Sequence, residues 1–247
     1  MSQSRLILNL GSGRPASSLP LELADLHGSL ITGECISCRL EPLLEEGWGP
    51  VRGVDLLVGA GFSIDGAPRT QGSAVCARAV RIRSLPDTVG PGMRLLIVGL
   101  NPSPYSADNG VAYARPGNRF WPAVLAAGIA SIDRDPRHAL RSHGLGMTDL
   151  VRRTTRRADQ VDLSEFQAGF ARVSRLVEWL CPKAVCFVGL GGWRAVVERK
   201  AQAGVQQRML GGRPVYVMPH TSGLNAHSRL ADLTAHLAAA ATLADKS

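Results

Sequence analysis

The chain has 247 residues, 45% hydrophobic and 19% charged, which is enough apolar material for a sizeable core and excludes a wholly disordered protein. No apolar run approaches the roughly 20 residues needed to cross a bilayer, and the opening MSQSRLILNLG is too short in its apolar stretch for a secretory signal; a cytoplasmic protein away from membranes is expected. Charge divides by position: residues 1–90 carry 8 Arg against 9 Asp and Glu, whereas residues 91–247 carry 20 basic against 11 acidic residues, a net +9 that points to a polyanionic partner, nucleic acid first.

The N-terminal part is the less legible. VDLLVGAG (54–61) and AVCARAVRIRSL (74–85) read as strands, and Pro91-Gly92-Met93 as a junction. Cys35-Ile36-Ser37-Cys38 has metal-ligand spacing, with Cys76 and His27 as conceivable partners. The irregular separations favour ordinary thiols, and no metal is expected. Five cysteines, odd in number and sparse, argue against a disulfide scaffold.

From residue 94 onward strands and helices alternate. RLLIVGL (94–100) is a buried strand ending in Asn-Pro, and residues 118–128 form a helix stopped by Gly128. MTDLV (147–151) is a short strand. Phe166, Phe170, Val173, Val177 and Leu180 mark the clearest helix, with Ser164 and Gln167 as its capping box and Pro182 after its end. AVCFVGL (184–190), a helix over 192–202, the strand PVYVMP (214–219) and an Ala- and Leu-rich helix over 228–243 complete the series. Such alternation predicts an α/β protein, a parallel sheet covered on both faces, with its ligand site beyond the carboxyl ends of the strands. Gly59-Ala60-Gly61 and Gly189-Leu190-Gly191 lack the third glycine of a dinucleotide fingerprint and read as tight strand-to-helix turns.

Two loops at that edge are rich in polar side chains. GLNPSPYSADNGVAYARPGNRFW (99–121) brings an amide and an aromatic face; MPHTSGLN (218–225) brings an imidazole, two hydroxyls and an apolar Leu. An amide to hold water, a hydrogen-bond donor, an aromatic platform and a wedge suit a flat heterocycle taken out of a stack.

These residues resemble the mismatch-specific uracil-DNA and thymine-DNA glycosylases of the uracil-DNA glycosylase superfamily. The likeness rests on Gly99-Leu100-Asn101-Pro102 and Ala114-Arg115-Pro116-Gly117-Asn118-Arg119-Phe120-Trp121, followed in order by Gly146-Met147-Thr148-Asp149-Leu150-Val151 and Ser222-Gly223-Leu224-Asn225. It covers about residues 85–243 and leaves 1–84 as an N-terminal extension of uncertain structure. The resemblance implies a three-layer α/β/α sandwich with a short, mostly parallel central sheet in residues 85–247. It also implies hydrolysis of the N-glycosidic bond of uracil or related bases in DNA, without metal or cofactor; a monomer is expected. By motif position Asn101 would orient the attacking water, and Tyr113 would stack on the flipped base. Gly99 and Leu100 would form the pocket, with Ser106 near the C5 edge of the base. Leu224 would fill the hole left in the duplex, with Ser222, Gly223 and Asn225 gripping phosphate or the opposite strand.

Three positions depart from the pattern. Ser103 stands where Gly is usual, and where uracil-strict branches have a bulky Tyr; this predicts room for some 5-substituted or mismatched bases. His220 replaces a usual Asn and would donate to the departing base. Asp149 brings a carboxylate that would assist the water or the oxocarbenium ion, or else cap a helix or pair with Arg152 or Arg153. The cluster Arg152, Arg153, Arg156 and Arg157 either tracks phosphate or pairs with Asp159 and Asp162. With no Lys in the implicated loops, strand cleavage through a Schiff base is not expected. The competing readings are a module that binds damaged or abasic DNA with little turnover, and a hydrolase of free nucleosides or nucleotides.

Overall fold

The computed structural model describes residues 7–247 apart from Leu224 and Ala226. The chain divides into two compact units, Met1–Asp87 and Thr88–Ser247.

The first unit contains β1 (Ile7–Leu10), α1 (Leu19–Ser29), β2 (Cys35–Leu40), α2 (Pro50–Gly59), β3 (Phe62–Ile64), β4 (Arg69–Gln71) and β5 (Ala74–Arg81). Its sheet runs β1-β2-β5-β3, with β4 also on β5; β1 is parallel to β2 and the other pairings are antiparallel. Residues 54–61, expected as a strand, lie mostly in α2, which starts with Pro50 in its first turn and buries Gly53, Leu56 and Leu57. Gly59-Ala60-Gly61 is therefore a helix-to-strand turn. On β2 Cys35 is exposed and Cys38 buried, because residues three apart on a strand face opposite ways. That separation prevents the pair from gripping one ion, and His27 Nε2 lies 3.1 Å from the Ile82 carbonyl oxygen. Among the described residues no group of three or more His, Cys, Asp or Glu could hold a metal, and no helix is long and apolar enough to cross a membrane.

The second unit contains β6 (Leu95–Gly99), α3 (Pro104–Asn109), α4 (Phe120–Ala126), α5 (Pro136–His143), β7 (Leu145–Asp149), α6 (Leu163–Leu180), β8 (Ala184–Val188), α7 (Leu190–Val196), β9 (Gly204–Val205), β10 (Val215–Met218) and α8 (Leu230–Asp245). Its sheet order is β7-β6-β8-β10-β9, parallel except for β9 at one edge. All residues of β6, β7, β8 and β10 are buried, as the continuous apolar runs require of strands covered on both sides. Pleating sends Leu96, Val98, Val185, Phe187, Val215 and Val217 into a core with Phe166, Val173, Val177 and Trp193 of α6 and α7. The alternate face carries α8, against which α4 packs, completing the α/β/α layering. The capping box of α6 is Asp162 and Glu165, not Ser164 and Gln167: Asp162 N–H donates to Glu165 Oε2 at 3.1 Å.

Candidate active site

The site grows from the carboxyl ends of β6, β7 and β10. Gly99 and Asp149 pair directly across β6 and β7, and both face the α4 side of the sheet. A Cβ on Gly99 would lie 2.0 Å from Asp149 Oδ1 and 3.0 Å from the Tyr113 hydroxyl. Only a residue without a side chain lets a carboxylate and a phenol meet beside the strand there. Asp149 is 8% exposed.

Two residues beyond β6, Asn101 donates through Nδ2 to the Arg153 carbonyl (3.0 Å) and to Thr155 Oγ1 (2.7 Å). A carbonyl can only accept, so this network fixes which end of the amide is nitrogen. Oδ1 is left as the acceptor. Thr155 in turn donates to the Arg157 carbonyl at 2.8 Å. The segment that grips Asn101 is itself tied to α6: Arg153 forms a two-pronged ion pair with Glu165 (2.9 and 2.7 Å), and that pairing holds the Glu165 carboxyl below its usual range.

Of the Arg cluster, Arg152 is buried, Arg153 pairs with Glu165, and Arg157 pairs with Asp159 at 2.5 Å. Of the four, Arg156 is the one exposed without an ion pair among the described residues. Arg153 is Glu165's partner rather than Asp149's. The Asp149 backbone carbonyl and Thr148 Oγ1 each accept from Arg172 Nη2 at 2.9 Å, from α6 beneath.

Ser103 caps α3, accepting from Ser106 N–H at 3.1 Å and donating to Ser106 Oγ at 3.2 Å. The Ser103 hydroxyl is thus turned to Ser106, which is buried. Leu100 packs against the α6–α7 core, and its carbonyl accepts from Val151 N–H at 2.9 Å.

The run Asn118–Trp121 builds the rest. Asn118 Oδ1 accepts from Phe120 N–H (2.9 Å), and Trp121 Nε1 donates to the buried Ala112 carbonyl (2.7 Å). Phe120 lies under Tyr113 with ring centroids 4.0 Å apart and planes at 21°. Tyr113 itself sits at φ 57°, a left-handed conformation a bulky residue rarely adopts.

Arg119 reaches across to the other loop. Its backbone N–H donates to the Thr221 carbonyl (2.9 Å), and its guanidinium donates to the carbonyls of Ser222 (3.1 Å), Asn225 (2.7 Å) and Ser228. Gly223 closes the same seam: a Cβ there would lie 2.8 Å from the Gly117 carbonyl oxygen. Asn225 is 7% exposed, and its amide donates to the His220 carbonyl (2.8 Å) and Ser228 Oγ (3.1 Å) while accepting from His227 N–H (3.1 Å). Its side-chain amide is therefore engaged within the loop. Leu224, expected as the wedge, lies outside the described residues. His220 follows β10 and is exposed; partial burial, and then the nearby Arg119 charge, push its imidazole below the usual value. The Asn101 and His220 turns follow strands separated only by β8, so about 10 Å, two strand spacings, lies between their roots.

A family model for the uracil DNA glycosylase superfamily matches residues 86–243. The chain belongs to the uracil DNA glycosylase superfamily. A solution NMR structure from Methanosarcina acetivorans, described as that of a "putative Uracil DNA glycosylase", is 21% identical, with a TM-score of 0.45 over 65% of this chain and 97% of that one. Members of the superfamily are DNA glycosylases, enzymes of DNA repair that act on DNA, and the +9 charge of residues 91–247 suits that polymer.

Sequence reading missed two residues of this superfamily member's site. Arg119 was visible as a motif letter, but its four carbonyl partners lie about a hundred residues downstream. Thr155 carried no signal, since a hydroxyl that holds another side chain looks like any loop threonine.

Proposed function

We propose that this protein is a monofunctional DNA glycosylase, which extrudes uracil from DNA and hydrolyses its glycosidic bond to leave an abasic site. The observation that carries the reading is the fixed orientation of Asn101. Both amide N–H groups are engaged by protein, so Oδ1 is presented as an acceptor for water without reorganisation. A water held there forms the new bond to C1′ as the bond from C1′ to the base nitrogen breaks. The electron pair leaves with the base, and the water loses a proton to Asp149 or to solvent.

His220 supports the other half of the reaction. An imidazole depressed by burial and by the Arg119 charge stays neutral near pH 7, with an N–H for the negative charge on the departing base. One well-aimed donor of this kind is worth about 3 kcal/mol in other enzymes. Tyr113, backed by Phe120, offers a supported aromatic face for the base. Room for 5-substituted bases beside Ser103 rests on the small side chain and on its hydroxyl being turned into the α3 cap.

The test is incubation with labelled oligonucleotides carrying one uracil, single-stranded or opposite G or A, followed by alkali. Breakage at uracil that requires the protein supports the enzyme; tight binding without breakage at stoichiometric protein refutes it in favour of a binding module. Excision from free nucleosides at rates matching DNA would point instead to a nucleoside hydrolase.

A further inference from the structure

Tyr113 carries two local costs that a neighbouring choice of residue would avoid. Its hydroxyl is buried with no hydrogen-bond partner, a situation worth about 1–3 kcal/mol of lost solvation. Its backbone is left-handed, which costs about the same again in a non-glycine residue. A Phe would stack on Phe120 equally well and remove the first of these costs. The hydroxyl therefore needs an acceptor, and the geometry names one. The phenol oxygen and Asp149 Oδ1 crowd the same point beside Gly99, 3.0 and 2.0 Å from where a Cβ would lie. Burial, the Asp149 charge and the Cys186 thiol behind it all keep the phenol protonated.

We propose that Tyr113 is a positioning residue whose O–H, once the Asp149 carboxylate turns slightly about its side-chain bonds, donates to that carboxylate and fixes which oxygen faces the slot. The inference rests on the reading of that slot as a base pocket. The carboxylate so held is an acceptor aimed at a ring N–H, so the pocket selects bases that carry one, such as uracil, over bases with a bare ring nitrogen at that edge. Water excluded by a bound base strengthens the phenol–carboxylate bond, since the local dielectric falls.

The groups that face Asp149 bound the experiment. They include Tyr113 from the 110–114 loop, Cys186 of β8 near the phenol, and Arg172 of α6 on the Asp149 backbone carbonyl, with Gly99 of β6 beside the carboxylate. The test is a carbon-13 NMR titration of aspartate side-chain carboxyls in full-length wild-type protein and in Tyr113→Phe, with the Asp149 resonance assigned by its absence in Asp149→Asn. Loss of one donor to the ionised form should raise the Asp149 midpoint by about one pH unit. The same variant should release uracil about 10-fold more slowly in single turnover, with a thermal midpoint no lower than that of the wild type. Equal Asp149 midpoints in the two proteins overturn the proposal whatever the excision rates. A raised midpoint in a protein whose wild type excises no base keeps the Tyr113–Asp149 pairing and removes the glycosylase reading.

Discussion

Arg119→Ala loosens one loop from the other while leaving in place every side chain proposed to meet substrate. The guanidinium donates to three carbonyls, those of Ser222, Asn225 and Ser228. A hydrogen bond to a charged group contributes about 1.5–3 kcal/mol, but three bonds sharing one cation are not additive. The freed carbonyls also lie in a loop that water can reach. A net loss of about 3 kcal/mol in loop order follows. If only the ordered loop presents His220 correctly, its population and the single-turnover rate of uracil release fall about 100-fold. The remaining backbone bond to Thr221 and the α4–α8 packing keep the fold, so the thermal midpoint should move by only a few degrees. Because both changes act on one element, Arg119→Ala and His220→Ala should combine to much less than the product of their separate effects. A rate for Arg119→Ala within threefold of wild type, or full additivity with His220→Ala, refutes the argument.

Other outcomes follow from the same geometry. Thr155→Val removes the 2.7 Å acceptor of Asn101 and should slow release about 10-fold, whereas Thr155→Ser should retain most of the rate; equal rates for Val and wild type would detach Thr155 from Asn101. Gly169→Ala places a Cβ 2.1 Å from the Leu150 carbonyl oxygen, a contact with backbone that cannot yield. It should lower stability by roughly 2–4 kcal/mol in a denaturant titration. In the pH profile of release, the folded His220 pKa lies below the free value, so the imidazole stays neutral as pH falls past 6.5, and the limb that marks its change from one N–H to two lies on the acid side of that value. Arg119→Lys keeps the charge and should leave that limb in place, while Arg119→Ala should move it toward 6.5, a difference readable in the Asp149→Asn background.

The parallel sheet was legible because β6, β8 and β10 are continuous apolar runs ended by Gly or Pro. α2 was misread because Gly53 looks like a break. In the structure it is the residue that lets the helix approach Val75, where a Cβ would come within 2.9 Å. With Gly53 excluded, the remaining run is too short to show a helical period. α5 escaped notice because its exposed face is polar, although its ends carry ordinary signals: Asp135 accepts from His138 N–H at 2.8 Å, Pro136 follows, and Gly144 closes with φ 62°. At the site, positions were readable from motif order but directions were not. Nothing local in sequence tells that Asn225 bonds inward, that Ser103 turns to Ser106, or that Arg153 belongs to Glu165.

The central claim is that a single base leaves the helix and enters the slot between the Asn101 and His220 turns. Binding of Asn101→Ala protein to a duplex with 2-aminopurine beside uracil reads that step directly. The account predicts a several-fold rise in 2-aminopurine fluorescence that needs uracil in the strand and is abolished when Gly99→Phe fills the slot. Tight binding with fluorescence unchanged from free duplex would contradict it.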